Sequence, residues 1–95
     1  MRNKTEGVKE LVEEVLAHIT APYSEDIIEE VFVHIGSNHR WEKRYEELSA
    51  DLREDWIVNN WIGKYTKILT GYETGKQVKA QNTGLITSYS KLIPV

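Results

Sequence analysis

The chain has 95 residues, a net charge of −3 and no cysteine, and its apolar runs are far shorter than the roughly 20 residues that span a bilayer. This length fits one domain with one modest core. The absence of thiols excludes disulfides, thiolate zinc sites and a cysteine nucleophile. Together these features predict a cytoplasmic chain with no membrane partner.

Charge is segregated along the sequence. Residues 56–95 hold five lysines and one acid, which gives +4, whereas residues 1–55 hold seven basic and fourteen acidic residues, which gives −7. A split of this kind is typical of a face that meets an anionic partner, either a nucleic acid or an acidic protein surface.

The apolar residues recur at the three- and four-residue spacings of amphipathic helices. This periodicity predicts an all-α fold, a single compact domain of five helices around one core. The predicted helices cover residues 5–20, 24–35, 40–50, 52–70 and 83–93. Residues 71–82 lose the periodicity and are predicted to form an irregular basic loop, in which a Thr-Gly pair favours a short hairpin.

Capping residues set the predicted boundaries of the middle helices. Ser24 has the place of an N-cap for helix 2, and Gly36 has the place of its left-handed C-cap. Asp51 with Glu54 three residues later resembles a capping box that begins helix 4. Gly71 is then well placed to end that helix.

The predicted third helix carries its charges against the helix dipole. Arg40, Lys43 and Arg44 lie in its first turns, where each cation costs about 0.3 to 1 kcal/mol. A helix N-terminus with three cations suits a phosphate, and the turn at Gly36 gives helices 2 and 3 a helix-turn-helix pattern. These three residues are therefore nucleic-acid-binding candidates. The alternative is that Lys43 pairs with Glu47 and the arginines pair with acids on helices 1 or 2.

A second basic candidate surface follows helix 4. Lys76 and Lys79 lie among amides and hydroxyls of the predicted loop, and Lys91 lies outside the apolar stripe of helix 5. Such side chains contact phosphates and base edges in DNA complexes, so the loop would act as a basic arm or wing. The alternative is a loop that is only solvated.

Helix 4 has a second face opposite its main apolar stripe, formed by Trp56, Asn60, Gly63 and Lys67. Gly63 costs a helix about 1 kcal/mol relative to alanine unless a close approach compensates, and tryptophan is poorly suited to full solvent exposure. We expect helix 4 to run through the centre of the domain with both sides covered. The alternative is that this face binds a second copy of the chain or another partner.

No residue pattern indicates catalysis, a cofactor or a metal ion. The segment GYETGK has the glycines and lysine of a P-loop, but it lacks one residue between the glycines, follows a helix, and has Gln77 in place of Ser or Thr. His18 and His34 each follow a glutamate by four residues, whereas carboxylate bundle sites use a spacing of three, so both histidines are interpreted as structural. We expect a chain that is not an enzyme.

The leading hypothesis is a small intracellular DNA-binding or regulatory domain that contacts phosphates through basic side chains. The net charge of −3 opposes this hypothesis, because affinity without sequence preference comes from neutralised phosphates. The alternative is a non-enzymatic protein-interaction module, in one form a homodimer. It would hold an acidic partner with the Trp56 and Gly63 face or with the basic loop.

Overall fold

Four helices and a two-stranded antiparallel sheet make up the described residues, 5–95, of this computed structural model. The elements in chain order are α1 (Glu6–Leu16), α2 (Ile27–Ser37), α3 (His39–Leu52), α4 (Asp55–Thr70), β1 (Glu73–Lys79) and β2 (Ser88–Ile93). The predicted all-α fold of five helices is therefore wrong, because the last quarter of the chain is a β-hairpin.

The core is formed by the apolar stripes that predicted the helices. Ten of its sixteen buried apolar side chains come from α1 and α2, and the other six come from α3, α4 and β2. Each such side chain contributes about 1.5 to 3 kcal/mol when it leaves water, so the two N-terminal helices supply most of the burial. No helix within residues 5–95 is long and apolar enough to cross a membrane.

The connection between α1 and α2 is longer than predicted. α1 ends at Leu16 instead of residue 20, and α2 begins at Ile27 instead of residue 24. Ser24 is not the N-cap residue of α2, because that position is taken by Asp26. Ser24 lies one turn before the helix, and its Oγ accepts a hydrogen bond from the Asp26 amide at 3.1 Å. The peptide between Ala21 and Pro22 in this connection is cis.

Capping differs from the prediction at two of the other positions. Gly36 lies inside α2, and Asp51 lies inside α3. Glu54 is the N-cap residue of α4 but makes no side-chain cap there. Gly71 ends α4 as predicted: its φ is 75° and its amide donates to the Lys67 carbonyl at 3.0 Å.

Short turns join the last three helices. Asn38 alone separates α2 from α3, and its Oδ1 accepts a hydrogen bond from the Trp41 amide at 3.1 Å. Arg53 and Glu54 separate α3 from α4. Arg53 takes the left-handed conformation, with φ 74°, which is unfavourable for a residue with a Cβ.

The hairpin pairs residues that were predicted to lie in a loop and in a helix. Lys79 is opposite Ser88 and Gln77 is opposite Ser90, and the register shifts by one residue between Thr74 and Gln77. This shift is a bulge in β1. The predicted short hairpin within residues 71–82 is therefore wrong in its position, because that segment supplies one strand and residues 80–87 form the connection.

The fifth helix was predicted from a spacing that a strand also contains. Tyr89 and Leu92 are three residues apart and both are buried, although they lie in β2. Short apolar runs do not distinguish helix from strand by period alone. Thr87, Ser88 and Ser90 have weak helix propensity, and pairing with β1 satisfies the backbone groups of this segment.

Candidate functional site

The arginines at the start of α3 are bound to a carboxylate of α1. Glu14 accepts hydrogen bonds from Arg40, from Arg44 Nη1 at 2.7 Å and from Trp41 Nε1 at 3.3 Å. The hydrogen bond from Trp41, with the charges of Arg40 and Arg44, holds the pKa of the Glu14 carboxyl below its ordinary value. The two arginines therefore pair with an acid on helix 1, which is the alternative considered from the sequence.

The four candidate lysines divide into one paired and three exposed side chains. Lys91 Nζ lies 2.8 Å from Glu25 Oε1 and 3.6 Å from Asp26 Oδ1. The hydrogen bond to Glu25 raises the pKa of Lys91. Exposed side chains that form no ion pair with any residue of the described chain are Lys43, Lys76 and Lys79.

A cleft of about 360 Å³ lies between α4 and the hairpin. Its apolar floor is formed by side chains of α2 and the hairpin, including Phe32 and Leu92. The cleft is also lined by the polar residues of its two walls, Asn59, Asn60, Lys64, Lys67, Thr74, Gln77, Ser88 and Ser90. Tyr89 lines the cleft too, but its hydroxyl donates to Asp26 Oδ1 at 2.6 Å. None of the described lining residues carries a carboxylate, so the cleft is cationic and rich in hydrogen-bonding groups.

The cleft continues into a second depression of about 730 Å³ along the first turns of α4. The two share the lining residues Asn59, Asn60, Gln77, Ile86 and Ser88. We call the continuous depression the α4–hairpin groove. Its cationic end carries Lys64 and Lys67, whereas its other end carries Trp56 with one cation, Arg53, and two acids, Glu54 and Asp55.

The predicted second face of α4 lines this groove. Trp56, Asn60, Gly63 and Lys67 all contribute to the walls. Trp56 is 61% exposed, so the expectation that both sides of α4 are covered is wrong for this face. A Cβ on Gly63 would lie 4.0 Å from Ile28 Cδ1, an ordinary contact. Gly63 therefore leaves open space in the groove and is not required by a close approach of helices.

Lys79 is not a lining residue of the groove, but the strand register places it on the groove side of the hairpin. Pairing is regular from Gln77 to Lys79, so these two side chains lie on the same face of β1. Gln77 lines the groove and its Nε2 donates to Ser88 Oγ at 3.1 Å. Lys76 lies at the bulge and is not a lining residue.

Asn59 connects the groove to the core. Its Oδ1 accepts a hydrogen bond from the Tyr45 hydroxyl at 2.7 Å, and its Nδ2 donates to the Leu85 carbonyl at 2.9 Å. Burial raises the pKa of the Tyr45 hydroxyl. One side chain of α4 thus joins α3 to the residue 80–87 connection, which forms part of the groove wall.

A buried carboxylate of α2 holds the beginning of the same connection. Glu29 is 5% exposed, and its Oε2 accepts hydrogen bonds from the amides of Gln81 at 2.7 Å and Asn82 at 3.2 Å. Its Oε1 accepts a third, from Asn82 Nδ2 at 3.0 Å. These bonds, that from Gln81 foremost, hold the pKa of Glu29 below its ordinary value. The connection is therefore fixed at two points, Glu29 and Asn59.

The histidines face a separate depression of about 410 Å³ beside Trp41. Nδ1 of His18 lies 2.9 Å from the Glu14 carbonyl, and Nδ1 of His34 lies 2.8 Å from the Glu30 carbonyl. A carbonyl only accepts, so Nδ1 carries a proton in both rings. Within residues 5–95 no three potential metal-ligating side chains come together.

Several groove residues were missed by the sequence reasoning. Lys64 could have been found, because Asn60, Lys64 and Lys67 repeat at four and three residues and so share one helix face. Gln77 and Ser88 could not, because their proximity depends on the strand pairing that was predicted as a loop and a helix.

Comparison with protein families, curated proteins and solved structures gives no match for this chain.

Proposed function

We propose that this chain binds DNA in the α4–hairpin groove, with lysine side chains neutralising phosphates. The observation that carries the proposal is the cleft of about 360 Å³, whose described polar lining has lysines, amides and hydroxyls without a carboxylate. Ammonium groups supply the affinity for phosphates. Amides and hydroxyls bond to phosphate oxygens and to the edges of bases.

The net charge of −3 is a sum over the whole chain and differs from the local charge of the cationic cleft. Many of the acids lie on other elements, and Glu14, Glu25, Asp26 and Glu29 are bound to side chains or amides of the protein itself. The described cations without an ion pair include Lys64 and Lys67 on α4 and Lys76 and Lys79 on β1. The Lys64 ammonium lies 4.6 Å from the centroid of the Trp61 ring, a contact that leaves its charge in place. Binding to a polyanion depends on the cations that reach it and on the local potential, more than on the sum over the chain.

The first test is the salt dependence of DNA binding, measured by fluorescence anisotropy with single- and double-stranded oligonucleotides. If Lys64, Lys67 and Lys79 contact about three phosphates, the log–log slope will be about −2 to −3. The double substitution Lys64→Gln with Lys67→Gln removes two contacts, so we expect weaker binding and a slope smaller by about 2.

The matched control is Lys9→Gln with Lys43→Gln, which removes the same charge from α1 and α3, outside the groove. This variant should keep most of the slope. Absence of binding to either oligonucleotide at about 50 mM salt would contradict the proposal. An equal loss in both double variants would show that the groove is not the site.

The second candidate function is a protein-interaction module, and exposed apolar side chains favour it. Trp56 is 61% exposed and Ile68 is 64% exposed, both on α4. Large exposed apolar residues beside a polar rim are typical of protein interfaces. If the module is a homodimer, sedimentation should show a dimer. Gly63→Leu should disrupt this dimer, and Gly63→Ala should preserve it. A monomer that binds DNA would contradict the homodimer.

A further inference from the structure

We propose that the nucleic acid in the α4–hairpin groove is single-stranded, with one base stacked on the indole of Trp56. This inference rests on the proposed function, because it specifies the ligand of the same groove. It is carried by the shape of the groove, by the exposure of Trp56 and by the difference in charge between the two ends of the groove.

The groove is concave and has a wall on each side. Lys64 and Lys67 stand on the α4 wall, while Gln77 and Ser90 stand on the hairpin wall facing it. Duplex DNA is read by an element that projects into its major groove, which is about 12 Å wide. The groove-facing side of α4 does not project, because the hairpin stands opposite it. A single strand can enter such a cleft, whereas a duplex meets only its rim.

Trp56 has the exposure that base stacking requires. It is the second residue of α4, 61% of its surface is open, and it lines the groove. The rings of the other two tryptophans already contact the protein. Trp41 is buried and donates to Glu14, and Trp61 stacks on Tyr65 at 5.5 Å between ring centroids. Trp56 makes no ring contact with the described residues. Aromatic side chains in single-strand grooves stack on bases of any sequence.

The charges of the two ends suit one nucleotide strand laid along α4. Lys64 lies eight residues after Trp56, which is about 12 Å along the helix axis. Successive nucleotides of a stacked strand rise about 3.4 Å along its axis, so this distance holds a few nucleotides. Phosphates belong at the lysine end. The Trp56 end carries Arg53, Glu54 and Asp55, a net charge of −1, so it attracts phosphates less than the lysine end does. The carboxylates of Glu54 and Asp55 can accept hydrogen bonds from base amino groups.

The first experiment compares one oligodeoxynucleotide as a single strand and annealed to its complement, at equal salt. We expect the single strand to bind at least several-fold more tightly and to quench tryptophan fluorescence. If the duplex binds equally or more tightly, this inference is overturned while the DNA-binding proposal stands. If neither form binds, both are overturned.

The second experiment replaces Trp56. Trp56→Ala should weaken single-strand binding about 5- to 100-fold and leave the weak duplex binding unchanged. Trp56→Phe keeps an aromatic face and should retain most of the affinity. Because Trp56 is exposed, neither variant should lower the thermal midpoint by more than a few degrees. Equal losses for single strand and duplex, or no loss with Ala, would overturn the stacking role.

Discussion

At the scale of single residues, one buried carboxylate holds the beginning of the residue 80–87 connection, whose later residues 84–87 line the groove. Glu29 accepts three hydrogen bonds from residues 81 and 82, more than fifty positions away in sequence. Bonds to an ionised group are stronger than neutral ones, and leaving the buried donors unpaired carries a further cost. Glu29 is therefore the residue through which α2 determines where the hairpin connection lies.

The depressed pKa of Glu29 predicts a loss of stability in acid. Its folded pKa is below the ordinary value of 4.5, so its contribution is fully present above that pH. The contribution is lost as the pH falls through the folded pKa. Glu14 acts in the same direction, because its pKa is also lowered. Thermal unfolding measured from pH 7 down to about pH 3 should show a falling midpoint below about pH 4.5.

Glu29→Gln assigns part of this pH dependence to one side chain. The glutamine side chain has one uncharged acceptor oxygen, so it cannot replace a carboxylate that accepts three hydrogen bonds from N–H donors. We expect the free energy of unfolding to fall by about 1 to 3 kcal/mol at pH 7, and the thermal midpoint to depend less steeply on pH in acid. Glu13→Gln removes the same charge from an exposed position of α1 and serves as the control. If both variants behave alike, Glu29 does not hold the connection.

At the scale of elements, the helices were predictable and the hairpin was not. Val8 to Leu16 and Ile27 to Ile35 bury one continuous stripe each, so their period follows directly from the core they face. In β2 the buried residues Tyr89 and Leu92 keep a helical spacing within a strand. β1 buries no residue fully, so its sequence shows neither the apolar spacing of a helix nor the alternation of a strand.

The end of α4 provides a prediction at this scale. Gly71 has φ 75° and no atom within 4 Å of a Cβ built on it, so the penalty for alanine is conformational and not steric. We expect Gly71→Ala to lower the free energy of unfolding by about 1 to 2 kcal/mol in urea titrations. Gly84→Ala is the control, because Gly84 also has open space but no positive φ, and it should be neutral or slightly stabilising.

At the scale of the whole molecule, the fold determines which cations are free. Arg40 and Arg44 are indistinguishable from Lys64 and Lys67 in a charge count, but the packing of α3 on α1 places both arginines on Glu14. The pairing of these arginines with Glu14 depends on tertiary structure, so the sequence alone predicts it only as an alternative. The face containing Trp56 was visible in the sequence through its helical spacing. The hairpin that turns this face into a groove was not.

The most direct test fills the cationic cleft of the α4–hairpin groove at Gly63 and measures DNA affinity. Gly63→Leu adds a side chain to the groove wall, whereas Gly63→Ala adds only a methyl group at an ordinary 4.0 Å from Ile28 and should stabilise α4 by about 1 kcal/mol. With both variants folded by circular dichroism, the account predicts at least tenfold weaker binding of a single-stranded oligonucleotide by Gly63→Leu and unchanged binding by Gly63→Ala. Unchanged binding by the folded Gly63→Leu variant would contradict it.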